Sequence, residues 1–272
     1  MSTKRAALES LQDAKKFARQ GFELHRDPQI VLQSFNTWAF KRQQPTEPEL
    51  LLHSVISSVS RSEPISFVLY WGKGPRSGIG VPEKMCLHYL AQMTQRIRCA
   101  YPQGARITLI MTDTHAEHNG YSPSRIAQYY AEVALAASEH NYRSVSLRSI
   151  VEAGRCRIRA ELETPSAAIL EKLEPCAAKW YRGQNTIANG AEDYFRMNML
   201  EKRAVELAYP GSIFITFNSS EYRELFPSAL PVFYMYSMRK GNSVKPWFVD
   251  VEPSRSRTAG TADDPESSTP QL

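Results

Sequence analysis

Two short polar stretches concentrate the side chains able to do chemistry. The first, Trp71-Gly-Lys-Gly-Pro-Arg76, sets two glycines around Lys73 and puts Arg76 three residues on. Glycine lets backbone approach a ligand closely, and Lys and Arg suit a phosphate or carboxylate. The GxxxxGK[ST] and GxGxxG spacings are both absent, so neither phosphate-loop signature applies. The plain alternative is a surface turn with two solvated cations. The second stretch, Thr112-Asp-Thr-His-Ala-Glu-His-Asn119, gathers Asp113, His115, Glu117 and His118 within six residues. Histidine titrates near neutrality and a carboxylate can orient it, which suits general acid/base work. In extended backbone Asp113, His115 and Glu117 point to one side. A metal site competes, but the HExxH spacing is absent and no distant ligands stand out. Proton transfer or substrate binding is therefore preferred, with Lys73, Asp113 and His115 as catalytic candidates. Arg76, His118 and Asn119 are the adjoining substrate contacts, and no metal or other cofactor is expected. The bland reading is a hydrated loop in which Asp113 caps the next turn.

A third set lies in AEDYFRMNMLEKRAVELAYP, which reads as a helix. Arg196, Lys202 and Arg203 are candidates for anion contacts, and positions 196 and 203 share a face. A solvated helix face explains each of them as well. His25, His53, His88 and His140 fall in helical patterns and read as structural or exposed. GxSxG is absent. Cys86, Cys99, Cys156 and Cys176 form no CxxC pair, so neither a zinc knuckle nor thiol catalysis is signalled.

The elements around these stretches decide whether they meet. Residues 64–70 are β-rich, Pro82 opens a helix running to about Tyr101, and Ala105–Met111 is a strand by composition. Strand, helix, strand is a βαβ unit, normally parallel and right-handed. It stands the two polar loops side by side at carboxyl ends of strands, where open sheets bind ligands. A helix follows over about 124–140, then a strand over 142–147. Residues 150–207 read mainly helical, interrupted at Pro175 and near Gly190. Three β-like runs, Ser212–Phe217, Val232–Met238 and Trp247–Val251, read as antiparallel strands finishing the sheet. Upstream, helices are predicted over 4–24, over 29–42 and after Pro45. The fold class is thus α/β: a mixed sheet on a βαβ core. A helical N-terminal region, 1–62, packs on an α/β catalytic domain, 63–251, and 252–272 is a disordered tail with almost no apolar residue.

Composition agrees with small-molecule work. The 272 residues are 42% hydrophobic and 22% charged, with a formal net charge of +5. The cations are scattered, and no basic stripe with interleaved aromatics marks a nucleic-acid surface. No run has the length of a membrane span and the polar N-terminus carries no secretory pattern, so a cytoplasmic location is expected.

The order of motifs resembles the isocyanide (isonitrile) synthase family, also labelled pyoverdine/dityrosine biosynthesis proteins. Lys73 and Pro75 match its lysine-proline loop, and Val81-Pro82-Glu83 its Leu-Pro-Asp helix start. Tyr101-Pro102-Gln103-Gly104-Ala105 matches Tyr-Pro-Pro-Gly-Ala, and Thr112-Asp113-Thr114-His115 its Ser-Asp-Gly-Arg loop. Arg203, Tyr209-Pro210 and Lys245-Pro246-Trp247-Phe248 continue the series, over about residues 30–250. The resemblance implies a Rossmann-like fold and a reaction joining an amino acid amine to a ketose phosphate such as ribulose 5-phosphate, the nitrogen ending as an isocyanide. It implies Lys73 and Arg76 at the phosphate, Asp113 and His115 moving protons, and Trp247 lining the pocket. The partners are then an amino acid and a sugar phosphate. The family's strand histidine is Phe217 here and its final Trp-His is Trp247-Phe248, while His115 and His118 are new. The alternatives are a transferase or lyase of other chemistry on the same fold, or a binding protein with a degenerate site.

Overall fold

The computed structural model describes residues 27–72, 75, 78–154, 158, 164–218 and 220–235. The helix expected over 4–24, the run Trp247–Val251, the tail, and the candidates Lys73, Arg76 and Trp247 lie outside the described residues.

Helix α1 (Pro28–Phe35) begins where the Asp27 carboxylate accepts the Gln29 amide at 2.8 Å, with Pro28 in the first turn. It ends at Phe35, short of the expected Arg42. Phe35 packs edge-on against Phe67 (5.3 Å) and Phe233 (5.5 Å), so this helix is pinned to the sheet. Helix α2 (Pro48–Ser60) leads into β1 (Ile65–Trp71), α3 (Val81–Ala100) and β2 (Ala105–Met111). Then come α4 (Asp113–His118), α5 (Pro123–Ser138), β3 (Arg143–Ser146) and α6 (Leu147–Gly154). Helices α7 (Ala167–Trp180) and α8 (Ile187–Ala208) precede β4 (Ile213–Thr216), α9 (Glu221–Leu225) and β5 (Val232–Tyr234).

The sheet order is β3-β2-β1-β4-β5, and every pairing of named strands is parallel. This corrects the antiparallel C-terminal strands expected from the sequence. Phe214 pairs with Val232 and Thr216 with Tyr234 in the same direction. The segment 217–231, which contains α9, is long enough to carry the chain back as a crossover. The β-like composition was right for the first two runs; direction is set by the connection, which composition does not report. Among the described residues, antiparallel pairing is confined to the isolated bridge Lys41–Met235.

Both faces of the sheet are covered. Phe67, Leu69 and Trp71 point toward α1, α2, α3 and α5, while Val68 and Tyr70 point toward α6, α7 and α8. Parallel strands buried on both sides read as the near-continuous apolar runs seen here. The chain moves outward from β1 through β2 to β3, then returns to place β4 on the other side of β1. A reversal of strand order of this kind marks the usual ligand position in such sheets.

Two helix breaks fall elsewhere than expected. Pro175 sits inside α7, and Gly190 lies in the first turns of α8; among the described residues the non-helical stretches are at 158, 164–166 and 181–186. An interior proline costs about 3 kcal/mol. Here the fully buried Leu173 and Ala177 hold the helix through it.

Candidate functional site

The loop after β1 is held at both ends. Trp71 Nε1 donates to the Tyr129 hydroxyl (3.3 Å), which donates to the fully buried Glu83 (3.3 Å). Glu83 also accepts the Gly80 amide at 2.9 Å, closing the start of α3, and Glu132 accepts the Ile79 amide at 3.0 Å. Burial pushes the Tyr129 phenol well above its usual range, so it stays protonated and able to donate. Lys73 and Arg76 belong to the span between these anchors.

At the end of β2, the Thr112 hydroxyl donates to the Trp71 carbonyl (3.0 Å), tying the two strand ends together. The next residues are helical, not extended, which overturns the expectation that Asp113, His115 and Glu117 share a side. At 3.6 residues per turn, positions two apart diverge and positions four apart align. Asp113 and Glu117 accordingly face α6. The Asp113 carboxylate accepts the Ser146 hydroxyl (2.6 Å) and the Arg148 amide (3.1 Å), and Glu117 pairs with the Arg148 guanidinium. Asp113 thus holds the start of α6, and it does so from within a helix and not from the hydrated loop expected. It also lines a cleft of about 350 Å³ with Met111, Ile126, Tyr130, Ser144 and Ser146.

His115 turns the other way. Its Nε2 donates to Glu201 at 2.6 Å, and Thr114 donates its hydroxyl to the other carboxylate oxygen at 2.5 Å. Both partners of the His115–Glu201 pair are 2% exposed. Tyr70 and Tyr194 pack edge-on against the imidazole, at 6.2 and 5.3 Å between ring centres. The sequence brings a histidine to the end of β2, α8 supplies the carboxylate, and β1 supplies an aromatic wall. His118, one turn on, donates Nε2–H to the Gly190 carbonyl (3.1 Å) and tilts against Tyr181. Desolvation lowers its pKa, outweighing the opposite pull of that carbonyl, so the neutral form is favoured.

The 181–186 turn lies close against the end of α4 and the start of α8, where two glycines face it. Gly120 has φ +78°, and a Cβ there would lie 2.9 Å from the Arg182 carbonyl oxygen. A Cβ on Gly190 would lie 2.8 Å from the Tyr181 ring. Asn119, 4% exposed, leaves both amide atoms without a hydrogen-bond partner among the described residues. Buried polar groups are normally paired, so Asn119 keeps a donor and an acceptor for something else.

The cationic candidates on α8 separate. Arg196 pairs with Glu192 at 2.5 Å, while Arg203 lines a different, smaller cavity. Lys202 is not solvated: it is 4% exposed and donates Nζ–H to the Phe226 carbonyl at 2.6 Å. The structure thus brings His115, Thr114 and Glu201 together and turns Asp113 away from them. Glu201 was missed by the sequence reading. A signal existed: Tyr194, Asn198, Glu201 and Val205 recur at helical spacing on a buried stripe, and a carboxylate on such a stripe needs a partner. Among the described residues no three His, Cys, Asp or Glu side chains gather as metal ligands would, and no helix is long and apolar enough to cross a membrane.

No family model matches the chain, and no curated protein matches it. Among solved structures it is similar to the crystal structure of the PvcA protein from Pseudomonas aeruginosa. The two superpose with a TM-score of 0.56 over 81% of this chain and 87% of that one, at 18% sequence identity. The chain shares the fold of PvcA. At that identity the likeness speaks for the arrangement of strands and helices, and the site must be argued from its own residues.

Proposed function

We propose that the chain is a biosynthetic enzyme resembling the isocyanide synthases, joining an amino acid amine to a ketose phosphate. The observation that carries this reading is the buried His115–Glu201 pair beside the carboxyl ends of β1 and β2. Imine formation needs a group that removes a proton from the attacking amine and returns one to the departing oxygen. An imidazole held by a carboxylate does both, and Thr114 fixes the carboxylate rotamer. Asn119 supplies an amide donor and acceptor, with His118 alongside. Lys73 and Arg76 are assigned to the phosphate and Trp247 to the pocket, on the motif resemblance. The scaffold shared with PvcA is consistent with this reading.

The test is to incubate the purified chain with each amino acid and ribulose 5-phosphate and to detect isocyanide by mass spectrometry. His115→Ala should lower turnover about 10²–10⁴-fold, the usual contribution of a general acid/base, while circular dichroism stays native. Unchanged turnover in that variant, or no isocyanide from any amino acid, overturns the assignment.

A further inference from the structure

A second cavity, of about 230 Å³, lies between α8 and the turn after α9, lined by Lys202, Arg203, Glu206 and Ser228 among others. It lies below the roughly 300–1,000 Å³ of pockets that take drug-sized ligands, so it suits a small molecule. Lys202 stands on its wall with unusual surroundings. The side chain is buried, its Nζ is 5.5 Å from the centre of the Phe214 ring, and it donates a hydrogen bond to the carbonyl of Phe226. Arg203 is the next residue on the same helix. Glu206, one turn on, accepts the Ala229 amide through Oε1 at 2.7 Å.

We propose that Lys202 is an imine-forming lysine for a small anionic carbonyl compound, with Arg203 as the contact for the anion. The Nζ lone pair attacks the carbonyl carbon, a C–N bond forms, and the C=O π pair moves to oxygen, which takes up a proton. Nζ gives up a proton, and the carbinolamine then expels its hydroxyl as water to leave C=N. One water is released per imine, with no oxidation or reduction. Glu206, on the same wall, is placed to carry the proton. A free amine can then add to the imine carbon and release Lys202 as the amine, again without redox change. The cavity is distinct from the cleft beside Asp113 and from the His115–Glu201 pair, so the step goes beyond the proposed function and rests on it only in naming the ketose phosphate as the carbonyl compound. Burial also lowers the Lys202 pKa to about 7. At neutral pH a far larger share of these side chains then holds a lone pair than of exposed lysines.

The experiment uses the full chain, ribulose 5-phosphate and sodium cyanoborohydride, which fixes an imine as a secondary amine. Peptide mapping by mass spectrometry should find the adduct on Lys202, formed at least about tenfold faster than on any exposed lysine. Lys202→Met and Lys202→Arg should lose that adduct while keeping a native circular dichroism spectrum. Arg203→Gln should slow labelling by the phosphate sugar and leave labelling by uncharged glycolaldehyde unchanged. Adducts spread over exposed lysines with Lys202 unmodified overturn the proposal, whether or not the variants fold. Isocyanide is scored on the same samples. Lys202 labelling without isocyanide supports this inference and removes the proposed function, whereas isocyanide formed with Lys202 unlabelled overturns this inference alone.

Discussion

Glu201 is where the reasoning is most exposed to measurement. Its two carboxylate oxygens accept from His115 at 2.6 Å and Thr114 at 2.5 Å, in surroundings almost closed to water. Glu201→Ala leaves an imidazole N–H and a hydroxyl buried without an acceptor, each worth about 1–3 kcal/mol. The loss should therefore fall near the roughly 3–5 kcal/mol seen when one partner of a buried pair is removed. That is a large share of the about 5–15 kcal/mol by which domains are stable. Glu201→Gln keeps the shape. Its amide oxygen can still accept from His115, and its NH₂ can donate to a Thr114 hydroxyl turned to accept, so the loss should be only about 1–2 kcal/mol. The assay is urea unfolding of wild type, Glu201→Gln, His115→Gln and the double variant. A coupling energy of about 1–3 kcal/mol is expected for groups in direct contact. A coupling below about 0.5 kcal/mol would mean the two side chains do not meet, and the acid/base reading would fall with it.

Three further outcomes follow from the geometry. Gly120→Ala places a Cβ at φ +78° and 2.9 Å from a carbonyl oxygen, so it should lower the melting temperature by an amount corresponding to more than about 1 kcal/mol; an unchanged melt contradicts the close approach of α4 to the 181–186 turn. Asp113→Ala removes the acceptor for Ser146 and for the Arg148 amide and should cost about 0.5–2 kcal/mol in urea unfolding, as loss of a helix cap does, with Asp113→Asn costing less. For Lys202 the folded pKa of about 7 lies below the unfolded 10.5. Between those values the unfolded chain binds the extra proton, so this group makes stability rise with pH by up to about 1.4 kcal/mol per unit. Below pH 7 the burial penalty is present in full, and above 10.5 it is gone. Lys202→Met should flatten the rise between pH 7 and 9, measured by urea midpoints; an identical slope in both proteins contradicts the burial of this amine.

Alternating and continuous apolar patterns were enough to find β1, α3, β2, α5 and α8 in the sequence, because those elements bury their own stripes whatever their neighbours do. The βαβ unit followed from their order, and with it the pairing of β1 beside β2. The polar loop after β2 was found for the same local reason: a run of titratable side chains where periodicity stops. Strand direction in β4 and β5 was not legible, since a parallel and an antiparallel strand can bury the same Ile213–Thr216 and Val232–Tyr234. Nor was the side on which each polar residue falls. Whether 113–118 is helical or extended decides whether Asp113 and His115 converge, and in the folded chain it is helical. The partner of His115 was beyond sequence reach for a simpler reason. Glu201 lies 86 residues away, on a helix whose charges, taken one by one, read as solvated. Residue types and local periods are written in the chain. Which carboxylate meets which imidazole depends on helix-to-helix contact across the sheet, and only the folded chain makes that contact.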